Sequence, residues 1–157
     1  MPPSLFFDLS QIDFDNPVGG PEEIESINPQ RGDMRHLDAI DWLADDMTAV
    51  VGHKDVRDDE FWVPGHIPGR PLLPGVIMIE AAAQLAAYIM IKRRPDAGFV
   101  GFVGCDNVKF RGQVAPGQRL ILLGKEVQFK PRRVICDAQG VVDGQLVFEA
   151  RITGMPI

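Results

Sequence analysis

Residues 64–84 read PGHIPGRPLLPGVIMIEAAAQ, in which a turn rich in Pro and Gly leads into a long apolar segment. Between residues 76 and 91 all but three side chains are aliphatic, Ala or Met, and a helix that is apolar on every side is normally buried. Pro74 and Pro95 mark the ends, because Pro is favoured in the first helical turn and rarely continues a helix. The sequence therefore predicts a buried core helix over residues 74–94.

Three polar side chains interrupt this helix at intervals of four residues, which places them along one stripe of its surface. They are Glu80, Gln84 and Tyr88. Glu80 interrupts the apolar run too early for a membrane span, which needs about 20 apolar residues. We therefore expect a core helix in which Glu80 lies inside the protein, Gln84 supports it, and Tyr88 lies in the core or at a contact between subunits.

The rest of the chain contains several segments with the composition of strands. The last of them alternates apolar and polar residues, and Asp143-Gly144 just before it is a strong hairpin signal. One long buried helix combined with antiparallel strands predicts an α+β domain. The expected strands cover residues 47–56, 99–111, 119–130, 132–142 and 145–153.

The first 28 residues differ in composition from the remainder. They mix Pro, Gly and acidic residues with a few large apolar side chains, which predicts an acidic, partly irregular arm that packs onto something. The main domain is then expected over residues 29–157. Residues 1–60 hold 15 acidic and 4 basic side chains, whereas residues 61–157 hold 7 acidic and 12 basic ones. The C-terminal part is therefore basic despite the net charge of −6.

Cysteine usage and the first residues bear on location. Cys105 and Cys136 are isolated, which suits a reducing compartment, and residues 1–9 lack the basic and apolar regions of a secretory signal. The cytoplasm is the expected location. His36 and His53 have no companions at metal-ligand spacing, so we interpret both as surface residues and expect no metal. No phosphate-binding glycine motif supports a nucleotide cofactor.

Residues 65–84, GHIPGRPLLPGVIMIEAAAQ, resemble the signature of the 3-hydroxyacyl-acyl carrier protein dehydratases of the FabZ type, roughly GHFPxxPxxPGVLxxEAxAQ. Residues 99–120, FVGFVGCDNVKFRGQVAPGQRL, are similar to the family's glycine-rich strand and its FRxxVxPGDxL segment. The resemblance covers residues 29–154 and implies a hotdog fold, an antiparallel sheet wrapped around one long central helix. It also implies a homodimer with active sites between the subunits, and leaves open whether dimers assemble further into a trimer of dimers.

Dehydration of a 3-hydroxyacyl thioester needs a base for the α-proton, a donor for the departing hydroxyl and stabilisation of the thioester oxygen. His66 suits the base, because histidine ordinarily titrates near neutral pH. Glu80, protonated in apolar surroundings, suits the hydroxyl. The N–H groups of Gly75 and then Val76 suit the oxyanion, since the first amides of a helix have no acceptor within it. Gly75 also matches the family's oxyanion glycine.

The resemblance implies further details of the site. His66 of one subunit meets Glu80 of the other, and the peptide bond from His66 to Ile67 is cis. The family usually has Phe where this chain has Ile67, so we expect a smaller wall of the acyl pocket there. Residues 29–40, PQRGDMRHLDAI, depart from the family's PHRxPFLLxDR-like stretch, with Gln30 in place of the histidine and without the apolar FLL run.

The implied partner is acyl carrier protein, which is acidic and carries the substrate on its phosphopantetheine; neither nucleic acid binding nor membrane insertion is expected. Basic residues in the C-terminal part could steer this carrier, although solvated strand faces explain them equally well. The candidate docking residues are Arg93, Arg94, Lys109, Arg111, Lys125, Lys130, Arg132 and Arg133. The pathway is fatty acid or specialised lipid biosynthesis. The alternatives are a hotdog acyl thioesterase and a non-catalytic hotdog subunit that binds acyl chains.

Overall fold

Six antiparallel strands form one sheet in the computed structural model, which describes residues 3–157. The strand order is β1-β2-β4-β5-β6-β3. The strands are β1 Ala39–Leu43, β2 Ala49–Asp55, β3 Val100–Phe110, β4 Arg119–Lys130, β5 Arg133–Val142 and β6 Gln145–Pro156. The helices are α1 Pro21–Ile27 and α2 Gly75–Arg93, with single 3-10 turns at Leu9–Gln11, Gly32–Met34 and Pro95–Ala97.

The long helix α2 lies across one face of this sheet and supplies more buried core residues than any other element. Leu85 and Tyr88 are fully buried and pack with sheet residues such as Leu122 and Phe148. The helix is long and apolar enough to cross a membrane by length and composition alone, but half of it is buried inside this domain. The predicted core helix is confirmed to within one residue at each end.

Two strand glycines allow α2 to approach the sheet closely. A Cβ atom on Gly52 would lie 3.1 Å from Leu85 Cδ1, and one on Gly124 would lie 3.3 Å from Leu85 Cδ2. Larger residues at these positions would press on Leu85 and also on the neighbouring strands, at the Ala39 carbonyl (2.7 Å) and Val50 Cγ1 (3.0 Å), since cores are packed without room for extra methyl groups. Leu85 thus fixes the height of α2 above the sheet.

The strand predictions are largely confirmed, and so is the hotdog architecture of a sheet wrapped around a central helix. Asp143 and Gly144 form the turn between β5 and β6, both with positive φ (49° and 77°), as a two-residue hairpin turn requires. β1 was missed, because it is only five residues long and follows a stretch that departs from the family pattern.

The N-terminal arm covers the other face of the sheet. Alternate residues of a strand point to opposite faces, so Val50 joins the core under α2 while Val51 joins a second apolar cluster. Gln139 of β5 fastens the arm, because its Oε1 accepts the Phe6 N–H (2.9 Å) and its Nε2 donates to the Ser4 carbonyl (3.0 Å). The arm residues in this outer cluster are Leu5, Phe6, Phe7, Leu9, Ile12 and Phe14.

The arm packs onto the sheet, as its aromatic residues led us to expect. Its helix α1 is packed more deeply than the other arm residues, since Ile24 is fully buried in the core under α2. The division of the chain between residues 28 and 29 stays a prediction.

Candidate active site

His66 lies in the long loop, residues 56–74, that joins β2 to α2. Its ring is exposed in the single chain, and its Nδ1 is 2.6 Å from the carbonyl oxygen of Leu72. A carbonyl only accepts hydrogen bonds, so Nδ1 carries the proton and Nε2 of the neutral ring keeps a free lone pair. The ring is therefore held in the tautomer whose Nε2 can accept a proton.

The structure contradicts the cis peptide bond expected after His66. Every peptide bond of residues 3–157 is trans, and Ile67 instead has φ of 61°, an uncommon value for a β-branched residue. The tight turn is made by this positive φ and by that of Gly69 (83°), rather than by rotation about the peptide bond. The sequence predicted that Ile67 forms a wall of the acyl pocket. In the structure Ile67 lies beside His66 in a surface groove, with its side chain about half exposed.

The start of α2 faces the same groove as His66. The N–H groups of Ile77 and Met78 donate to the Pro74 carbonyl, whereas those of Gly75 and Val76 precede any acceptor within the helix. Phe110 lies directly over Gly75, since a Cβ at that position would meet the Phe110 ring at 2.7 Å. The groove is lined by His66, Ile67, Leu72, Leu73, Gly75, Val76, Met78, Phe110, Gly112 and Gln113.

Glu80 lies in the second turn of α2 and is half-buried, whereas the sequence predicted that it would be enclosed. Its Oε1 accepts a hydrogen bond from Nε2 of Gln84 (2.8 Å). The Gln84 amide is itself fixed, because Nε2 also donates to the Met34 carbonyl (2.7 Å) and Oε1 accepts the His36 N–H (2.8 Å). Gln84 is 1% exposed and orients Glu80, as the spacing of four residues predicted.

Tyr88, the third residue of the stripe, is fully buried in the core, which is one of its two predicted places. Its hydroxyl donates to Glu23 of α1 (2.9 Å), and Lys92 donates to the same carboxylate oxygen (2.8 Å). Burial and the Glu23 carboxylate raise the pKa of Tyr88 above its ordinary value. Tyr88 thus ties the arm to α2 and lies outside the site.

A second, apolar cavity runs beside α2 and contains Glu80. It extends from Glu80 to Met90, ten residues of helix or about 15 Å. His66 does not line this cavity and Glu80 does not line the His66 groove, so the described chain alone places the two residues in separate cavities. The lining includes Gln30, Ala83, Gln84, Ala86, Ala87, Phe99, Val100, Phe102 and Val134.

The basic residues predicted to form one docking field divide into separate groups. Arg93 is paired with Glu126 (2.7 Å) and Arg111 with Glu149 (2.6 Å), so part of the expected charge is neutralised. Lys125 lies on the outer face, 5.9 Å from the ring of Phe6. Lys109 lies on β3, opposite Glu149 of β6.

A compact basic group remains at the end of α2 and the β4–β5 turn. Arg94 donates to the Pro131 carbonyl (3.2 Å), which joins the helix end to this turn. Lys130, Arg132 and Arg133 are exposed there. We call Arg94, Lys130, Arg132 and Arg133 the basic end.

The predictions for His36 and His53 were wrong, because both are buried. His36 is 1% exposed beside Phe61, and burial together with the charge of Lys54 lowers its pKa to about 4, so its ring is neutral at physiological pH. His53 Nδ1 is 2.7 Å from Asp41, whose side chain is fully enclosed. Isolated histidines give no sequence signal of burial, because their partners are distant in the chain.

Comparison with known proteins places this chain in a family. The sequence model of the FabA-like domain matches residues 28–151. A 3-hydroxyacyl-[acyl-carrier-protein] dehydratase FabZ of Lactococcus lactis subsp. cremoris is 34% identical over 133 residues, 83% of this chain and 90% of that protein. The FabZ of Streptococcus pyogenes serotype M5 is 32% identical over 132 residues, 83% of this chain and 94% of that protein.

The fold is also found among solved structures. The dehydratase heterocomplex ApeI:P from Xenorhabdus doucetiae superposes with a TM-score of 0.73 at 16% identity, covering 85% of this chain and 90% of that chain. At this identity the likeness concerns the fold.

Because Phe110 lies over Gly75, we expect Gly75→Ala to displace the Phe110 ring from its stack on Phe148, at 5.7 Å between centroids. Because Phe110 is about half exposed, its ring can move toward solvent, so the cost in unfolding free energy is at the low end of overpacking, about 1 kcal/mol or less by urea titration. Gly65→Ala is the control, since a Cβ there meets nothing within 4 Å. Equal stability of the two variants, with Phe110 unmoved in a crystal structure of Gly75→Ala, would contradict the assigned packing.

Proposed function

The chain belongs to the FabA-like family, and we propose that it is a 3-hydroxyacyl-acyl carrier protein dehydratase. It removes water from a (3R)-3-hydroxyacyl group on the carrier and gives the trans-2-enoyl product, in fatty acid or specialised lipid biosynthesis. Named relatives with this activity support the class of reaction. The observation that carries the assignment to this site is the Leu72 carbonyl at His66 Nδ1, which leaves Nε2 free as the base.

The proposed step uses three groups of this chain. Nε2 of His66 takes the proton from the α-carbon, the C2–C3 double bond forms, and the C3–O bond breaks. The Glu80 carboxyl passes a proton to the departing hydroxyl, which leaves as water. The Gly75 and Val76 N–H groups stabilise the negative charge that grows on the thioester oxygen. Return of a proton from the imidazolium to the Glu80 carboxylate, through solvent, restores both groups.

We propose that the complete site forms in a homodimer, where His66 of one subunit faces Glu80 of the other. Two observations support this arrangement. The two residues lie in separate cavities of one chain. β3 is an edge strand with Phe102 and Val103 about half exposed, and an unpaired apolar edge favours pairing with a second copy. Exposed Val76, at the start of α2, would be covered in the same contact.

The basic end is the proposed docking surface for the acidic carrier. It borders the Glu80 cavity, because Val134 and Phe99 line that cavity and adjoin Arg133 and the end of α2. A carrier bound there would deliver its phosphopantetheine arm along the apolar wall of α2. The phosphopantetheine and the thioester come with the carrier. Elimination of water transfers no net electrons, so the reaction needs no further cofactor. The free Cys105 and Cys136 suit the cytoplasm as its location.

Incubation with 3-hydroxyacyl carrier proteins of several chain lengths, followed by mass spectrometry, tests the reaction. We expect enoyl product with the unchanged protein and a loss of about 10²–10⁴-fold in rate with His66→Ala or Glu80→Gln. Asp143→Asn, in the distant β5–β6 turn, is the control. Enoyl formation that survives either site substitution would contradict the mechanism, and release of free carrier thiol would show a thioesterase instead.

Charge reversal tests the docking surface. We expect Arg132→Glu and Arg133→Glu each to weaken carrier binding by about two- to fivefold, since exposed ion pairs contribute up to about 1 kcal/mol. Lys125→Glu makes the same change of charge on the outer face and should leave affinity unchanged. Binding by the unchanged protein should weaken as salt shortens the screening length below about 10 Å. If calorimetry shows the same carrier affinity at low and high salt and in both charge-reversal variants, the basic end is not the docking surface.

A further inference from the structure

The loop that carries His66 is held to the domain at separate anchor points rather than by regular secondary structure. Residues 56–74 form no strand or α-helix, and most side chains from residue 57 to residue 70 are exposed. A base must be held to a fraction of an ångström, because a misplacement of 1 Å can lower a rate by about 100-fold. The inward anchors of this loop therefore decide how well His66 is placed.

The deepest polar anchor is the ion pair between Lys54 of β2 and Glu60 of the loop. Lys54 Nζ lies 2.6 Å from Glu60 Oε1, and the side chains are only 3% and 5% exposed. Every other Lys or Arg ion pair within residues 3–157 has both side chains at least 17% exposed. Lys54 shares the helix-facing side of β2 with Val50 and Gly52, where an apolar residue would be usual.

Glu60 fixes the loop through both of its carboxylate oxygens. Oε1 binds Lys54, and Oε2 accepts the Arg57 N–H (2.8 Å). Although burial opposes ionisation, these hydrogen bonds lower the pKa of Glu60, so the carboxylate stays charged at neutral pH. The backbone of Glu60 is tied in as well, since its carbonyl accepts the Val63 N–H (3.1 Å).

The chain of contacts continues from Glu60 to His66. Trp62, two residues further on, is 5% exposed, and its carbonyl accepts the N–H groups of both Gly65 (3.2 Å) and His66 (2.8 Å). The Leu72 carbonyl then accepts from His66 Nδ1. The imidazole is therefore held from two sides. The Lys54–Glu60 pair and the Trp62 carbonyl fix the segment before His66, and the Leu73 N–H, which donates to the Val114 carbonyl (2.7 Å), fixes the segment that carries the Leu72 carbonyl.

We propose that the buried Lys54–Glu60 ion pair is the positioning device for His66. This role rests on the proposed function, which makes His66 the base. A buried ion pair rarely adds net stability over apolar residues of similar size, because both charges lose their hydration. Geometry explains why an ion pair occupies this place at the start of the loop. Two apolar side chains could shift past each other, whereas the two charged groups hold one distance and one direction.

Steady-state kinetics of the full-length protein test this role. The variants are Lys54→Met/Glu60→Met, which replaces the pair with apolar side chains, and Glu60→Gln, which keeps the side-chain length and an acceptor for the Arg57 N–H. We expect kcat to fall by about 10- to 100-fold with KM within about threefold, because the groove is kept while the base is misplaced. Arg151→Gln/Asp137→Asn removes an ion pair between β5 and β6 and should keep kcat.

Two further measurements separate positioning from stability and from the function itself. Urea titration should show Lys54→Met/Glu60→Met about as stable as the unchanged protein, while hydrogen exchange at the Gly65 and His66 amides becomes faster. Wild-type kcat in both variants with unchanged exchange would overturn the positioning role and leave the dehydratase assignment intact. If the unchanged protein forms no enoyl product but the two variants still show faster exchange, the proposed function is overturned. The positioning role is then still supported.

Discussion

The packing of α2 against the concave face of the sheet is the contact on which the rest of the structure depends. Leu85 fits over two strand glycines, and the residues around it are almost entirely enclosed. The helix axis is therefore fixed relative to five strands. Two of the three proposed catalytic groups, the first-turn amides and Glu80, belong to this helix. They are held in place because the helix is. His66 belongs to a loop, so its placement needs separate anchors.

The sequence was sufficient for the parts of the fold that depend on local patterns. An apolar run bounded by prolines identified α2, and Asp143-Gly144 identified its hairpin because few residues accept positive φ there. Family resemblance supplied the hotdog architecture. Local patterns were insufficient where partners lie far apart in the chain. His36 is buried because α2 and the loop before it close over His36 and Leu37, and nothing near His36 in the sequence indicates this.

The site shows the same division. Glu80 was found because a lone acid in an apolar helix is conspicuous, and Gln84 because it lies one turn away. The Leu72 carbonyl, the Phe110 ring over Gly75 and the Lys54–Glu60 pair were missed, since each depends on how a loop folds back. The expected cis bond was replaced by a trans bond with positive φ at Ile67, two backbone solutions to a similar turn. The basic field was predicted as one surface because sequence charge counts ignore the carboxylates that pair with Arg93 and Arg111.

In the proposed dimer, each active site takes His66 from one subunit and Glu80 from the other. Mixing the two inactive proteins His66→Ala and Glu80→Gln, under conditions that exchange subunits, tests it directly. In a mixed dimer one site would receive both substitutions and the other would be intact. An equal mixture is then predicted to recover about one quarter of the activity of the unchanged protein, because half of the dimers are mixed and each has one of two sites. No recovery, with mixed dimers shown to form, would mean that both residues of each site come from one chain and would contradict the account.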